Sequence, residues 1–206
     1  MPGQGPPAEP EGRGRRPAGG ARGRSMGQPV RPDAAGEHDP DVAYRQGMDI
    51  AMRALSAREL TRAEILQRLS RKGITEPAAD AVVQRLTELA LIDDVRFAAA
   101  WIDSRQRTRK LAGRALGVEL NRRGVPAEVA TRALAKIDHQ TEARAAFELA
   151  RQRVARSPGV GPDVLTRRVA AALARRGYPP DLCFRAVRAA LADTGPVDDR
   201  AEGVLP

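Results

Sequence analysis

The sequence predicts an all-α protein of three tandem helical repeats behind a disordered tail, and three observations carry that prediction. One phrase occurs three times: Leu69-Ser70-Arg71-Lys72-Gly73-Ile74, Leu120-Asn121-Arg122-Arg123-Gly124-Val125 and Leu173-Ala174-Arg175-Arg176-Gly177-Tyr178. Its glycines stand 51 and 53 residues apart, and self-similarity at a nearly fixed period marks a supersecondary unit copied in tandem. The composition also favours helix. The 206 residues include one Trp, two Tyr and three Phe, while Ala, Leu and Arg abound and β-branched runs are missing. Finally, Asp, Thr and Pro recur where helices begin, and Gly where they end.

Residues 1–40 hold 9 Gly and 8 Pro with few large apolar side chains, too little to bury on ordering. They are expected to form a disordered linker, although Gly12-Arg13-Gly14-Arg15-Arg16 and Gly20-Ala21-Arg22-Gly23-Arg24 have the look of Arg/Gly segments that track nucleic acid backbones.

The first repeat, 41–92, opens with a helix carrying Ala43, Met48, Ala51, Met52 and Leu55 on one face. Thr61 begins a second helix, and Glu64, three residues on, completes a capping box. Ile65, Leu66 and Leu69 form its apolar stripe, and it ends at Gly73. A third helix is expected from about Glu76 to Ala90, with Pro77 in its first turn. The second repeat, 93–138, opens at Asp93-Asp94, acids suited to a helix N-terminus, and has Phe97, Ala98, Trp101 and Ile102 as its core stripe. Leu116 and Leu120 lead to Gly124, and Pro126 starts a helix containing Val129, Ala133, Leu134 and Ile137. In the third repeat, 139–193, a helix from about Gln140 to Arg156 is followed by Ser157-Pro158-Gly159-Val160-Gly161-Pro162, which no helix crosses. Val169 and Leu173 lead to Gly177, Pro179-Pro180 open the last helix, and residues 194–206 are expected to fray.

The repeated phrase has a physical meaning. A glycine just past a helix end takes the left-handed conformation that a Cβ resists. Leu69, Leu120 and Leu173 then lie three positions from their helix ends, against Ile74, Val125 and Tyr178. The dibasic pairs beside Gly73, Gly124 and Gly177 suit the negative end of the helix dipole, which accounts for them without any ligand.

The net charge of +9 is uneven. Residues 41–93 carry 8 basic and 8 acidic groups, whereas 94–138 carry 10 against 5 and 139–206 carry 11 against 8. The excess implies a polyanion or an acidic protein surface as partner of the later repeats. The candidate binding residues are Arg105, Arg107, Arg109, Lys110 and Arg114, together with the pairs Arg122-Arg123, Arg167-Arg168 and Arg175-Arg176. With only His38 and His139, no metal cluster or His-based triad assembles, and no P-loop or dinucleotide fingerprint is present. No enzyme activity, cofactor or metal is expected. The single Cys183 falls in a stripe with Ala186, Val187, Ala190 and Leu191, as a core residue in a reducing cytoplasm would. No membrane partner is expected, since no apolar run nears the ~18 residues a span needs.

Residues 54–65, 69–74 and 91–98, continued by Trp101-Ile102-Asp103-Ser104-Arg105 and by the phrase ending at Val125, resemble the RecX family, bacterial regulators of the RecA recombinase. The resemblance spans about residues 45–193. It implies three tandem three-helix repeats in a curved, elongated array. It also implies binding to the RecA recombinase and its filament on single-stranded DNA, slowing ATP hydrolysis and strand exchange and so modulating recombination and repair. The chain departs from the family where Arg107-Thr108-Arg109-Lys110 precedes Gly113, and its tail lies outside the shared region. Two other readings stand beside this one: direct DNA binding through helix-turn-helix-like units, and a helical adaptor for an acidic protein. A monomer is expected, with single-stranded DNA as a further partner.

Overall fold

The computed structural model describes residues 39–193. The expected tail lies outside them, except that Asp39 and Pro40 belong to the first helix and its cap; the expected frayed segment 194–206 also lies outside. Among the described residues every regular element is an α-helix: α1 (Pro40–Ala57), α2 (Arg62–Arg71), α3 (Glu76–Glu88), α4 (Asp94–Arg109), α5 (Gly113–Arg122), α6 (Ala127–Leu134), α7 (His139–Ala155), α8 (Pro162–Ala174) and α9 (Pro180–Ala192).

Local chemistry sets most of the boundaries. Asp39, Asp93 and Asp138 each accept first-turn amide N–H groups of α1, α4 and α7, which relieves donors that the helix itself cannot satisfy. At α2 the Thr61 hydroxyl accepts from Glu64 N at 3.1 Å and Thr61 N donates to the Glu64 carboxylate at 3.3 Å, a complete capping box. Prolines occupy the first turns of α1, α3, α8 and α9, where the missing N–H costs nothing.

Each middle helix ends alike. Gly73, Gly124 and Gly177 have φ of 78°, 73° and 90°. The following amides of Ile74, Val125 and Tyr178 donate back to Leu69, Leu120 and Leu173 at 3.1, 3.1 and 3.4 Å, the Schellman pattern. Helix α4 ends on Lys110 and the loop after α3 on Ala90, both left-handed without being glycine. That turn at Ala90 is why α3 stops at Glu88 instead of running on.

Helix packing groups α1–α3, α4–α6 and α7–α9 into three units. Ile65, Leu69, Val82, Val83 and Leu86 are the fully buried centre of the first core, Leu116 and Leu120 of the second, and Leu173 and Val187 of the third. Cys183 is buried in the third core. In the second unit α6 stops at Leu134, short of the expected Ile137, because Asp138 already caps α7. A groove of about 620 Å³ lies between α4 and α6, with Val95, Ile102 and Val129 on its wall.

Successive units meet through equivalent parts. The end of one unit's middle helix abuts the start of the preceding unit's middle helix. At the first joint the Thr61 hydroxyl donates to the Arg123 carbonyl at 2.6 Å, and Arg62 N donates to Asp94 Oδ1 at 3.0 Å. A Cβ on Gly124 would overlap the Cβ of Ala63. At the second joint Ala112 N donates to the Arg176 carbonyl at 2.9 Å, and Ala112 is itself buried within the third core. A Cβ on Gly177 would overlap the Ala115 backbone amide. These two glycines therefore serve both the left-handed turn and the close approach.

Candidate polyanion-binding surface

The candidate cations do not share one face. Arg105 and Arg123 turn inward around Trp101, their guanidiniums 3.8 and 4.2 Å from the ring centroid. Arg105 Nε and Trp101 Nε1 both donate to Glu119 Oε2, at 3.0 and 2.9 Å. Arg123 pairs with Glu64 across the first joint at 2.7 Å. A half-buried guanidinium over an indole, held also by a carboxylate, is a stabilising contact in its own right. Burial raises the Glu64 carboxyl, but bonds from Arg58 and the Thr61 amide, with the charge of Arg123, outweigh it and hold the group below its ordinary value.

The remaining cations of α4 divide between two grooves. Lys110 pairs with Glu148 of α7 at 3.5 Å, and Arg107 with Asp103 one turn back at 3.7 Å. These two line a groove that also holds Glu142 and Glu148, so its charge is mixed. Arg109 turns the other way. It reaches Glu119 at 3.8 Å while remaining largely exposed, and it lines a cleft of about 460 Å³ with Thr108, Leu111, Arg153, Ala172, Arg175 and Arg176. Arg114, Arg122, Arg167 and Arg168 are exposed and have no ion pair among the described residues.

The cleft sits on the second joint, and the joint builds it. Arg176 Nε donates to the Arg109 carbonyl at 3.0 Å, and the Tyr178 hydroxyl donates to the Lys110 carbonyl at 2.9 Å. The end of α4 is thereby held against the end of α8. Burial pushes the Tyr178 phenol up to about 12, with the nearby Glu142 charge adding to the effect. Arg153 reaches the cleft from α7. Burial together with the charges of Arg176, Arg175 and Arg156 lowers its pKa, as crowding of unneutralised cations must.

Arg153 and Arg156 are absent from the candidates drawn from the sequence. Their trace is the i, i+3 spacing, which sets Arg153 in the last turn of α7 beside Arg156 at its C-cap. Among the described residues there is no grouping of His, Cys, Asp and Glu that could hold a metal ion, and no helix is long and apolar enough to cross a membrane.

The chain matches three family models in order. They describe the first, second and third three-helix domains of RecX and cover residues 48–86, 93–134 and 140–187. It is 39% identical over 151 residues to the regulatory protein RecX of Mycolicibacterium smegmatis, covering 71% of this chain and 80% of that one. Against the regulatory protein RecX of Amycolatopsis mediterranei the identity is 36% over 143 residues, with 69% and 82% covered. The crystal structure of RecX from Lactobacillus salivarius superposes with a TM-score of 0.68 at 18% identity, covering 74% of this chain and 99% of that one. With three tandem domains matched in sequence and the same all-helical array in space, the chain belongs to the RecX family of regulatory proteins.

Proposed function

We propose that this protein binds the RecA recombinase and its filament on single-stranded DNA, restrains ATP hydrolysis and strand exchange, and so modulates recombination and DNA repair in the cytoplasm. The observation that carries this reading is the ordered match of all three helical domains to a family of regulators. The surface supports it. An array of end-to-end units offers a long face suited to a polymer, and the positive excess of the second and third units would draw it toward a target lined by phosphates and acidic patches. The protein acts as a monomer, without catalysis or a cofactor of its own.

The test is DNA-dependent ATP hydrolysis by the recombinase with this protein added below stoichiometric amounts. A fall in hydrolysis is expected. Hydrolysis that stays unchanged even when the folded protein is raised from those amounts to an excess overturns the proposal.

A further inference from the structure

We infer that the arginine cleft on the second joint is a binding site for the phosphodiester backbone of a nucleic acid strand, so that the chain grips the strand itself as well as the recombinase.

The cleft wall carries four guanidiniums, from Arg109, Arg153, Arg175 and Arg176, and neither a carboxylate nor an aromatic ring. Arg156 stands close enough for its charge to be felt at Arg153. Among the described residues Arg153, Arg156 and Arg175 have no ion-pair partner, although carboxylates line the neighbouring groove around Lys110. Folding thus gathers like charges from α4, α7 and the end of α8, and of these only Arg109 has a carboxylate partner, Glu119 at 3.8 Å, which leaves a positive excess that an anion stabilises.

The choice of a polymer anion rests on the helix pattern. Arg168 and Ala172 on α8 and Arg175 at its C-cap, still in helical conformation, stand at i, i+4 and i+7, hence on one stripe. Ala172 and Arg175 line the cleft, so Arg168, exposed and unpaired, continues the same track about 10 Å along the helix axis. A single carboxylate cannot engage cations so far apart, whereas a strand with a charge at each nucleotide can. Arginine forks suit phosphate oxygens, and without a ring to stack on bases the contact is to backbone and blind to sequence. The assignment rests on the filament reading for its preference for a single strand. It places the nucleic acid contact in a cleft between units, instead of on a helix presented by one unit.

The strand-binding measurement needs no recombinase. Binding of the full chain to a fluorescein-labelled oligothymidylate is followed by anisotropy over a series of salt concentrations. The double variants are Arg153→Ala with Arg175→Ala, Arg168→Ala with Arg175→Ala, and Arg68→Ala with Lys72→Ala as the control in the first unit. Wild type is expected to bind with affinity that falls steeply with salt. Each of the first two variants is expected to lose tenfold or more in affinity, with a log–log salt slope shallower by about 1.4 for two lost strand phosphates. The control is expected to keep the slope. Arg168 and Arg175 are both exposed, so that variant folds normally and keeps the test decisive should the other be damaged. Wild type failing to bind at low salt, or the Arg168/Arg175 variant binding with wild-type affinity and slope, overturns the site. Loss of recombinase inhibition in these variants with unchanged strand binding also overturns it, by assigning the cleft to an acidic protein surface. The effect of wild type on ATP hydrolysis tests the filament reading separately.

Discussion

The sharpest test of the joints compares two glycines of the same phrase. Gly73 and Gly124 end equivalent helices at nearly equal φ, 78° and 73°, so substitution by alanine carries the same left-handed penalty at both, about 1–2 kcal/mol. They differ in what the new methyl group meets: at Gly73 nothing lies within 4 Å, while at Gly124 the Cβ overlaps that of Ala63. Relief requires the end of α5 to draw back from α2, which strains the Thr61 bond to the Arg123 carbonyl and the Arg123–Glu64 pair. Overpacking of this kind costs ~1–3 kcal/mol. Gly124→Ala should therefore destabilise the protein by about 2–5 kcal/mol, and Gly73→Ala by only the conformational share. Urea unfolding followed by circular dichroism measures both. A double-mutant cycle adds the converse: Ala63→Gly, itself costing about 1 kcal/mol of helix propensity, should return part of the loss in the Gly124→Ala background. Equal destabilisation at the two glycines, or a cycle with no coupling, would refute the close approach as the reason for glycine at Gly124.

Arg123→Ala should shift the emission of Trp101, the one tryptophan of the chain, because the cation leaves the ring; an unchanged spectrum contradicts the stacking. Tyr178→Phe, which keeps the burial but drops the bond to the Lys110 carbonyl, should lower stability by about 0.5–1.5 kcal/mol in urea unfolding. The raised phenol adds an alkaline limb. Its stabilisation is whole below the unfolded value of 10.0 and is lost as pH rises toward about 12, so wild type should lose more stability than Tyr178→Phe over that span. Glu64 works in the opposite sense. Its carboxyl is held below the ordinary 4.5, so its contribution is present above that value and lost as pH falls through the native pKa; Glu64→Gln should flatten the acid limb of a stability-against-pH curve.

What the sequence discloses depends on how local the cause is. The capping box at Thr61 and Glu64, the aspartates before α4 and α7, and the prolines of α3, α8 and α9 act within a turn of chain, so their spacing is itself the signal. A Schellman ending is local too, and it leaves a leucine, a glycine and an apolar residue at fixed offsets. The joints leave no such trace. Ala63 and Ala115 look like ordinary helix formers until another unit's glycine is set against them. Arg123 belongs to a doubled arginine like Arg176, yet Trp101 and Glu64, one on another helix and one in another unit, turn it into an internal contact. The cleft is hidden for the same reason, since Arg109, Arg153 and Arg175 come from three helices and only folding brings them together.

The joint also sets a rule for growth. A glycine can seat where the preceding middle helix offers a methyl group or bare backbone two or three residues past its cap, as Ala63 and Ala115 do. On α8 the corresponding places after the Gly161 cap are Asp163 and Val164, a carboxylate and a branched side chain. A further unit docking in the same way would have to seat its glycine against one of these side chains, where Ala63 and Ala115 present no more than a methyl group.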